Sequence, residues 1–247
     1  MELAGRTAIV TGASSGIGAV TVRRLREAGV RVVGGARRVE RIDADVALRL
    51  DVTDEEGARA FVADAVDALG GGIDILYNNA GLALGRAPFW ESTPEDEAAV
   101  VHTNVDGAMR MTRLCLPHIR DGGHILFTGS VAGRQAYPNG ASYIAAKFGL
   151  RGFVYALRED LLGRPIRITT VDAGLVTGTE FSRTRFKGDE RKAAAVYEGV
   201  DTPTADDVVD CVLFALTRPL HVNIDEIVMK ALAQSSGARI VRRGEAS

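Results

Sequence analysis

Short apolar runs alternate along this chain with longer segments of helical spacing. Each run is rich in β-branched residues and has the length of a buried strand. After the first run, Val22, Leu25 and Ala28 recur at helical spacing, and Gly29 follows as a residue that often ends a helix. This alternation predicts a parallel sheet with helices on both faces. The runs are Thr7–Thr11, Val30–Val33, Ile73–Tyr77, His124–Thr128, Ile166–Val171 and Ile224–Met229.

The predicted fold class is α/β, a doubly wound Rossmann fold with a single parallel sheet of about seven strands. No linker-like segment interrupts the alternation, so we expect one domain over residues 1–247. The link from Arg38 to Asp51 is short for a crossover helix and is expected to hold only a turn or two. The three glycines at 70–72 predict a loop.

Composition and charge favour small-molecule partners. Hydrophobic residues make up 46% and charged residues 25% of the 247 positions, which is enough for a sizeable core. The formal net charge of -2 supplies no basic field for nucleic acid or for an anionic membrane surface. Without a signal sequence or an apolar stretch of about 18 residues, we expect no membrane span and a cytoplasmic protein. Cys115 and Cys211 lack the spacing of a metal or redox motif, so we expect reduced, partly buried cysteines and no metal site.

A glycine-rich turn follows the first predicted strand. TAIVTGASSGIG places Gly12, Gly16 and Gly18 between this strand and an amphipathic helix. Glycines there permit positive φ and a close approach to a pyrophosphate, and the helix start favours its negative charge. A turn without a ligand is the alternative, but the flanking strand and helix favour a dinucleotide site.

The end of the second predicted strand indicates the choice of cofactor. Enzymes that select NAD commonly place a carboxylate there for the ribose 2′-hydroxyl, whereas this chain has Ala36 followed by Arg37 and Arg38. Guanidinium groups suit a 2′-phosphate because they are permanently charged and donate paired hydrogen bonds. NADP is therefore the predicted cofactor, the alternative being that both arginines only solvate a loop.

Tyr143 and Lys147 are four residues apart in a segment of helical spacing, so both side chains are expected on one face. A free tyrosine has a pKa near 10, and a neighbouring ammonium group stabilises the phenolate and makes the residue a competent acid/base. Ser130 ends a predicted strand, where parallel sheets bind ligands, and its hydroxyl could hold the substrate oxygen. A tyrosine and a lysine four residues apart also occur by chance in many helices. The presence of Ser130 and the glycine turn in the same chain favours a catalytic role for this pair.

The order of these motifs resembles the short-chain dehydrogenase/reductase family over almost the whole chain. The motifs are TGASSGIG at 11–18, NNAG at 78–81, Asn104 in HTNVDG, Ser130 and YIAAK at 143–147. The resemblance implies that Tyr143 is the acid/base, that Lys147 binds the nicotinamide ribose and lowers the tyrosine pKa, and that Ser130 orients the reacting oxygen. It implies a homo-oligomer, commonly a homotetramer.

The resemblance also implies a role for Asn104 and a set of cofactor contacts. Asn104 would distort a helix and hold a water that links the lysine to solvent, although an ordinary surface amide is the alternative. Asp51 and Val52 resemble the pair that contacts adenine. The expected cofactor contacts are Gly12, Ser14, Ser15, Gly16, Ile17, Gly18, Arg37, Arg38, Asp51, Val52, Asn79, Ala80, Gly81, Tyr143, Lys147, Gly174, Val176 and Thr179.

One position departs from the family pattern. Ala173 stands before Gly174, where the family usually has a Pro-Gly pair after its sixth strand. Proline fixes φ, so alanine is expected to loosen the loop around the nicotinamide amide.

The residues after Gly174 resemble a narrower group, the NADP-dependent 3-hydroxy acid dehydrogenases, which include serine dehydrogenases and reductases of malonic semialdehyde. Residues 179–200 are then expected to form a substrate lid, in which Arg183, Arg185 or Lys187 could hold a carboxylate. The alternative is a solvated helix or an oligomer contact. His221 is expected to be a packing residue rather than a ligand or base.

The predicted function is an NADP(H)-dependent oxidoreductase that acts on a 3-hydroxy acid or its semialdehyde. A general ketone or 3-oxoacyl reductase would share every catalytic residue and differ only in the lid and pocket. A nucleotide-sensing binding protein without chemistry is a further alternative, which the presence of both Tyr143 and Lys147 disfavours.

Overall fold

The core of the protein is one parallel sheet of seven strands, in the order β3-β2-β1-β4-β5-β6-β7. The structure, a computed structural model, describes residues 2–244. The predicted fold class is confirmed. The strands are β1 (Thr7–Thr11), β2 (Arg31–Ala36), β3 (Val46–Arg49), β4 (Ile73–Asn78), β5 (Ile119–Thr128), β6 (Arg167–Ala173) and β7 (Glu226–Met229).

Helices cover both faces of the sheet. Their bounds are α1 (Gly16–Glu27), α2 (Glu55–Ala68), α3 (Pro94–Val101), α4 (Gly107–Cys115), α5 (Ala141–Asp160), α6 (Phe181–Arg185), α7 (Glu190–Ala195) and α8 (Ala205–Leu216). Successive strand side chains point to opposite faces, so Ile9 packs with α2, α4 and α5, whereas its neighbours Ala8 and Val10 pack with α1 and α8. Both layers are buried, which explains why the strands are nearly continuous apolar runs.

The structure adds an edge strand that the sequence pattern did not reveal. The link after Arg38 contains a 3-10 turn at Val39–Arg41 and then β3, which pairs only with β2 among the described strands. The residues of β3 are half-buried or exposed, so the run is too weakly apolar to stand out. The expectation of only a turn or two in this link was incomplete for that reason.

Smaller expectations can also be compared with the structure. Cys115 is buried and Cys211 is half-buried, and both are free. His221 is exposed, so the expectation of a packing role was wrong, because it lies in the surface turn before β7. In residues 2–244, no helix is long and apolar enough to cross a membrane, and no group of acidic, histidine and cysteine side chains could hold a metal ion.

A buried histidine in β5 makes the stability of the fold depend on pH. The Thr169 hydroxyl donates to Ile224 O at 2.6 Å, so Nε2 of His124, 2.7 Å away, must be the donor to Thr169. Burial and the nearby Arg167 guanidinium keep the pKa of His124 well below its usual 6.5. Below about pH 6.5 the histidine of the unfolded chain takes up a proton, whereas His124 in the folded chain does not. The free energy of unfolding should therefore decrease as the pH is lowered below about 6.5, by at most about 1.4 kcal/mol per pH unit.

We expect His124→Gln to remove this part of the pH dependence, because the amide can still donate to Thr169 but does not titrate. Urea unfolding at pH 7.5 and 5.5 measures the difference for each variant, so a general loss of stability in the variant cancels. His221→Gln, at an exposed position, is the matched control and should keep the wild-type dependence. The interpretation fails if the two variants lose the same stability between the two pH values.

Candidate active site

A cavity of about 610 Å³ opens at the carboxyl ends of the strands. The strand order reverses between β1 and β4, and doubly wound sheets bind ligands in the crevice at such a point. Every predicted catalytic and cofactor residue lines this cavity except Gly18. The sequence prediction of the site therefore corresponds to one continuous cavity.

The glycine turn lies between β1 and α1. Gly12 has φ +67° and Gly16 has φ +53°, values that favour glycine. Gly18 is buried, and a Cβ there would lie 2.2 Å from Gly12 O. Gly18 does not line the cavity, and the absence of a side chain there lets α1 pack closely on the turn.

The NNAG segment after β4 is held to β1 by the hydroxyl of Thr11. This hydroxyl accepts from the backbone N–H groups of Asn79 and Ala80, each at 3.0 Å. The Asn79 side chain donates to Thr11 O, also at 3.0 Å. These bonds position the wall of the cavity that ends at Gly81.

Arg38 lies at the glycine turn and pairs with Glu180, a residue of the expected lid that the sequence analysis did not identify. The Arg38 guanidinium is 3.3 Å from Ser15 Oγ and 2.6 Å from a carboxylate oxygen of Glu180. Arg41 holds the other oxygen of Glu180 at 3.0 Å. The two guanidinium groups lower the pKa of Glu180. Ala36, at the end of β2, offers no carboxylate, as predicted.

Next to Ala36 and Arg37, Asp51 and Val52 follow β3, since β3 pairs with β2. The Asp51 carboxylate accepts from the backbone and the hydroxyl of Thr53 at 3.0 and 2.7 Å. Although burial opposes it, these bonds and the Arg37 charge lower the pKa of Asp51.

Ser130, Tyr143 and Lys147 meet where β5 ends and α5 passes over it. The Ser130 hydroxyl accepts from the Ala132 backbone at 3.1 Å. Lys147 Nζ donates to Thr128 O at 2.9 Å and lies 5.7 Å from the ring centre of Tyr143. The spacing of four residues thus places both side chains on the face of α5 that lines the cavity.

Burial dominates the protonation of these two groups. It raises the pKa of the Tyr143 hydroxyl, against the lowering effects of Ser130 and of the Arg185 guanidinium. It also lowers the pKa of Lys147 to about 8, which Asp172 partly offsets. The chain alone therefore favours neutral tyrosine, the opposite of the sequence expectation. Residues 172 and 185 come close to this pair only through the tertiary fold.

The helix that carries Asn104 is distorted. Residues His102–Asp106 form a π-helix between α3 and α4. The Asn104 amide donates to Val100 O at 2.8 Å and to Leu82 O at 2.7 Å, which ties the widened turn to the loop after β4. Its buried Oδ1 has no hydrogen-bond partner among the described residues. A Cβ on Gly81 would lie 2.7 Å from Oδ1 and 3.7 Å from Lys147 Nζ, so the two polar groups face the same point.

A residue of the C-terminal segment fixes the loop after β6, although Ala173 stands where the family usually has proline. The buried Gln234 accepts from Leu175 N at 2.9 Å. A Cβ on Gly174 would lie 2.2 Å from the same oxygen, so only glycine leaves room for this contact. The expected loosening at Ala173 is thus opposed by a contact from 59 residues further along the chain.

The three basic residues expected in the lid have different positions. Arg183 is exposed and pairs with Glu190 at 2.9 Å, and Lys187 is exposed and pairs with Asp96 at 2.7 Å. Neither lines the cavity, so for these two residues the structure favours the alternative of a solvated surface position. Arg185 is 9% exposed and points inward. Two positions along an α-helix correspond to a rotation of about 200°, so Arg185 lies on the face of α6 opposite the exposed Arg183.

Arg185 lies directly beside the tyrosine. Its guanidinium is 5.8 Å from the ring centre of Tyr143 and 5.7 Å from that of Tyr137. It donates to Gly85 O at 3.1 Å and to the Tyr137 hydroxyl at 3.3 Å. No carboxylate of the described residues pairs with it. This arrangement leaves guanidinium donors for an anion next to Tyr143.

Sequence reasoning missed several further lining residues. Arg86 follows the NNAG segment, and Gln234 and Arg242 come from the C-terminal segment. No local motif marks them, because they reach the cavity only through the packing of distant segments. Glu180 belongs to the same class.

Comparison with known proteins agrees with this geometry. The model of the short chain dehydrogenase family matches residues 6–190, and the chain belongs to this family. The NADP-dependent 3-hydroxy acid dehydrogenase YdfG of Salmonella typhi is 39% identical over 245 residues, covering 95% of this chain and 98% of that protein. The serine 3-dehydrogenase of Agrobacterium fabrum is 35% identical over 246 residues, covering 96% and 98%. A closed form of serine dehydrogenase complexed with NADP+ superposes with a TM-score of 0.89 at 38% identity, covering 96% of this chain and 99% of the other. The predicted family is thereby confirmed, and these relatives carry the predicted cofactor and substrate class in their names.

Proposed function

We propose that this protein is an NADP(H)-dependent oxidoreductase that interconverts a 3-hydroxy acid and the corresponding oxo acid or semialdehyde. The observation that carries the substrate class is the inward Arg185, without a carboxylate partner in the described chain and 5.8 Å from the Tyr143 ring. The names of the relatives in the family support the same class.

The cavity fits NADP. The two glycines with positive φ leave the turn open for a pyrophosphate, and the buried Ala36 leaves room beside Arg38 for a 2′-phosphate. In this proposal Arg37 and Arg38 bind the phosphate, while Asp51 and Val52 contact adenine. The remaining contacts are Ser14, Ser15, Ile17, Asn79, Ala80, Gly81, Tyr143, Lys147, Gly174, Val176 and Thr179, with Lys147 on the nicotinamide ribose. Bound NADP+ would accept a hydride from the carbinol carbon, and NADPH would return it.

The proton is handled by the chain itself. In oxidation, Tyr143 removes the proton of the substrate hydroxyl, and Ser130 holds the same oxygen by a hydrogen bond. Because burial alone favours neutral tyrosine, the positive charges of Lys147 and Arg185 are needed to stabilise the phenolate. A water held between Asn104 Oδ1 and Lys147 Nζ would satisfy the unpaired oxygen and connect the lysine to solvent.

Residues 179–200 act as the lid in this proposal. Two short helices, α6 and α7, form half of it, and the ring centre of Phe181 lies 5.5 Å from that of Tyr143. Arg185 of the lid therefore binds the substrate carboxylate on the side of the reacting carbon. The lid and the sheet belong to one domain over residues 1–247 in this proposal.

Arg185→Gln is expected to lower kcat/KM for 3-hydroxypropionate or serine by about tenfold to a hundredfold. A charge-assisted hydrogen bond is worth roughly 1.5 to 3 kcal/mol, and this is the bond that the variant loses. The methyl ester of the same acid should lose much less. The assay follows NADPH absorbance for acid and ester in parallel, and the ratio of the two kcat/KM values is the readout.

Arg183→Gln is the matched control, since it removes the same charge from the exposed face of the same helix. It should leave the ratio of acid to ester unchanged. Equal kcat/KM for acid and ester in the unaltered enzyme would contradict the hydroxy-acid assignment and favour a general ketone or 3-oxoacyl reductase. A uniform loss for acid and ester in Arg185→Gln would instead indicate a structural role.

We also propose a cytoplasmic homotetramer. Two free cysteines fit a reducing compartment. Large apolar side chains are exposed on α5 and α8, among them Phe148, Tyr155 and Phe214, and such surfaces commonly mark contacts between subunits. Light scattering coupled to size exclusion measures the mass in solution, and a monomer would exclude this part of the proposal.

A further inference from the structure

Arg86 lies on the cavity wall next to the proposed carboxylate anchor. The Gly85 N–H donates to Arg185 O at 2.9 Å, and Arg185 Nε donates back to Gly85 O at 3.1 Å. This reciprocal pair fixes the loop that carries Arg86 against α6. Arg86 and Arg185 therefore line one cavity from adjacent positions.

The positive charge of Arg86 has no counter-charge in the described chain. Its side chain makes no hydrogen bond or ion pair with any residue in 2–244. Arg86 is open to solvent on one side of the cavity, yet partial desolvation lowers its pKa, and the like charges of Arg185 and Arg242 lower it further. Arg242 itself donates to the backbone oxygens of Val196 and Glu198, which holds it at the cavity.

The carboxylates that line the cavity are already engaged elsewhere. Among the described lining residues these are Asp51, which accepts from Thr53 at the adenine end, and Glu180, which Arg38 and Arg41 hold. The nearby Asp96 pairs with Lys187. Arg86 and Arg185 are therefore two cations that line the cavity without a carboxylate partner among residues 2–244, and a single substrate carboxylate on Arg185 would balance only one of them.

We propose that the preferred substrate is a 3-hydroxy dicarboxylate, whose second carboxylate binds Arg86. This inference rests on the proposed function, since it adds a second anionic subsite to the same pocket. The reaction is the same: the carbinol carbon gives its hydride to NADP+, the hydroxyl proton goes to Tyr143 and then to solvent, and a ketone forms. Both carboxylates remain unchanged and serve only for binding.

The matched probes are 3-hydroxyglutarate and its monomethyl ester, which have the same carbon skeleton and differ by one charge. In the unaltered enzyme we expect kcat/KM for the dianion to exceed that for the monoester by about tenfold or more, mainly through KM, since a second charge-assisted contact is made before the reaction. Glutarate should likewise inhibit more strongly than monomethyl glutarate, which tests binding without turnover.

Arg86→Gln should bring the dianion-to-monoester ratio down by about tenfold to a hundredfold, and Arg86→Lys should restore part of it because the charge is kept. The same variant should weaken glutarate inhibition selectively. Arg183→Gln, on the exposed face of α6, should leave both ratios unchanged.

The outcomes separate this inference from the proposed function. If simple 3-hydroxy acids are oxidised but the dianion is no better than its monoester, the second subsite is wrong and the proposed function stands. If Arg86→Gln lowers kcat/KM for both probes equally, the second subsite is again excluded. If no 3-hydroxy acid of either charge is oxidised better than a neutral alcohol, the proposed function itself fails.

Discussion

Tyr143→Phe is expected to lower kcat by about 10²-fold to 10⁴-fold and to leave NADPH binding nearly intact. The variant removes only the hydroxyl that exchanges the proton, while its ring can keep its contacts with Phe181 and Arg185. Single-turnover kinetics measures the chemical step, and titration of NADPH fluorescence measures the affinity for the cofactor.

Tyr155→Phe is the matched control for this prediction. Tyr155 lies on the same helix, is exposed, and bonds Glu226 at 2.8 Å, so it loses an equivalent hydroxyl outside the cavity. We expect its kcat to stay close to wild type. Wild-type turnover in Tyr143→Phe would exclude Tyr143 as the acid/base, and a large loss of NADPH affinity would show that its hydroxyl acts in cofactor binding.

The second large effect concerns cofactor preference. Ala36→Asp combined with Arg38→Ala should lower the ratio of kcat/KM for NADP to that for NAD by about a thousandfold. The lost charge-assisted bonds account for about tenfold to a hundredfold, and repulsion between the new carboxylate and the 2′-phosphate adds the rest. The same carboxylate can accept a hydrogen bond from the free 2′-hydroxyl of NAD, which raises kcat/KM for NAD.

Arg38→Ala and Arg37→Ala, made singly, show which guanidinium binds the phosphate. Arg38 lies at the glycine turn, so its loss should have the larger effect. Arg31→Ala is the control, because it removes an exposed arginine from the opposite end of the same strand. A preference for NAD in the unaltered enzyme would overturn the cofactor assignment, whereas equal effects of Arg31→Ala and Arg38→Ala would show a general effect of charge.

The amino-acid sequence was sufficient to predict those features that depend only on residues close together along the chain. The apolar runs predicted six strands, and TGASSGIG predicted a turn that the structure places at the switch point of the sheet. Tyr143 and Lys147 were paired correctly because a spacing of four residues fixes two side chains on one helix face whatever packs around them. The edge strand β3 was missed because one-sided pairing leaves its residues too polar for a clear pattern.

Contacts between distant segments required the tertiary structure. Arg183, Arg185 and Lys187 are equivalent in charge, and only the orientation of α6 places Arg185 inside the cavity and the other two in solvent. The Glu180 carboxylate meets Arg38 across 142 positions, and Gln234 holds the loop after β6 across 59. Local spacing thus determined the glycine turn and the placement of Tyr143 and Lys147 on one helix face, because local backbone conformation sets both. The charge of the substrate pocket was decided by the tertiary structure, because packing determines which side chains are buried and which of them find a partner.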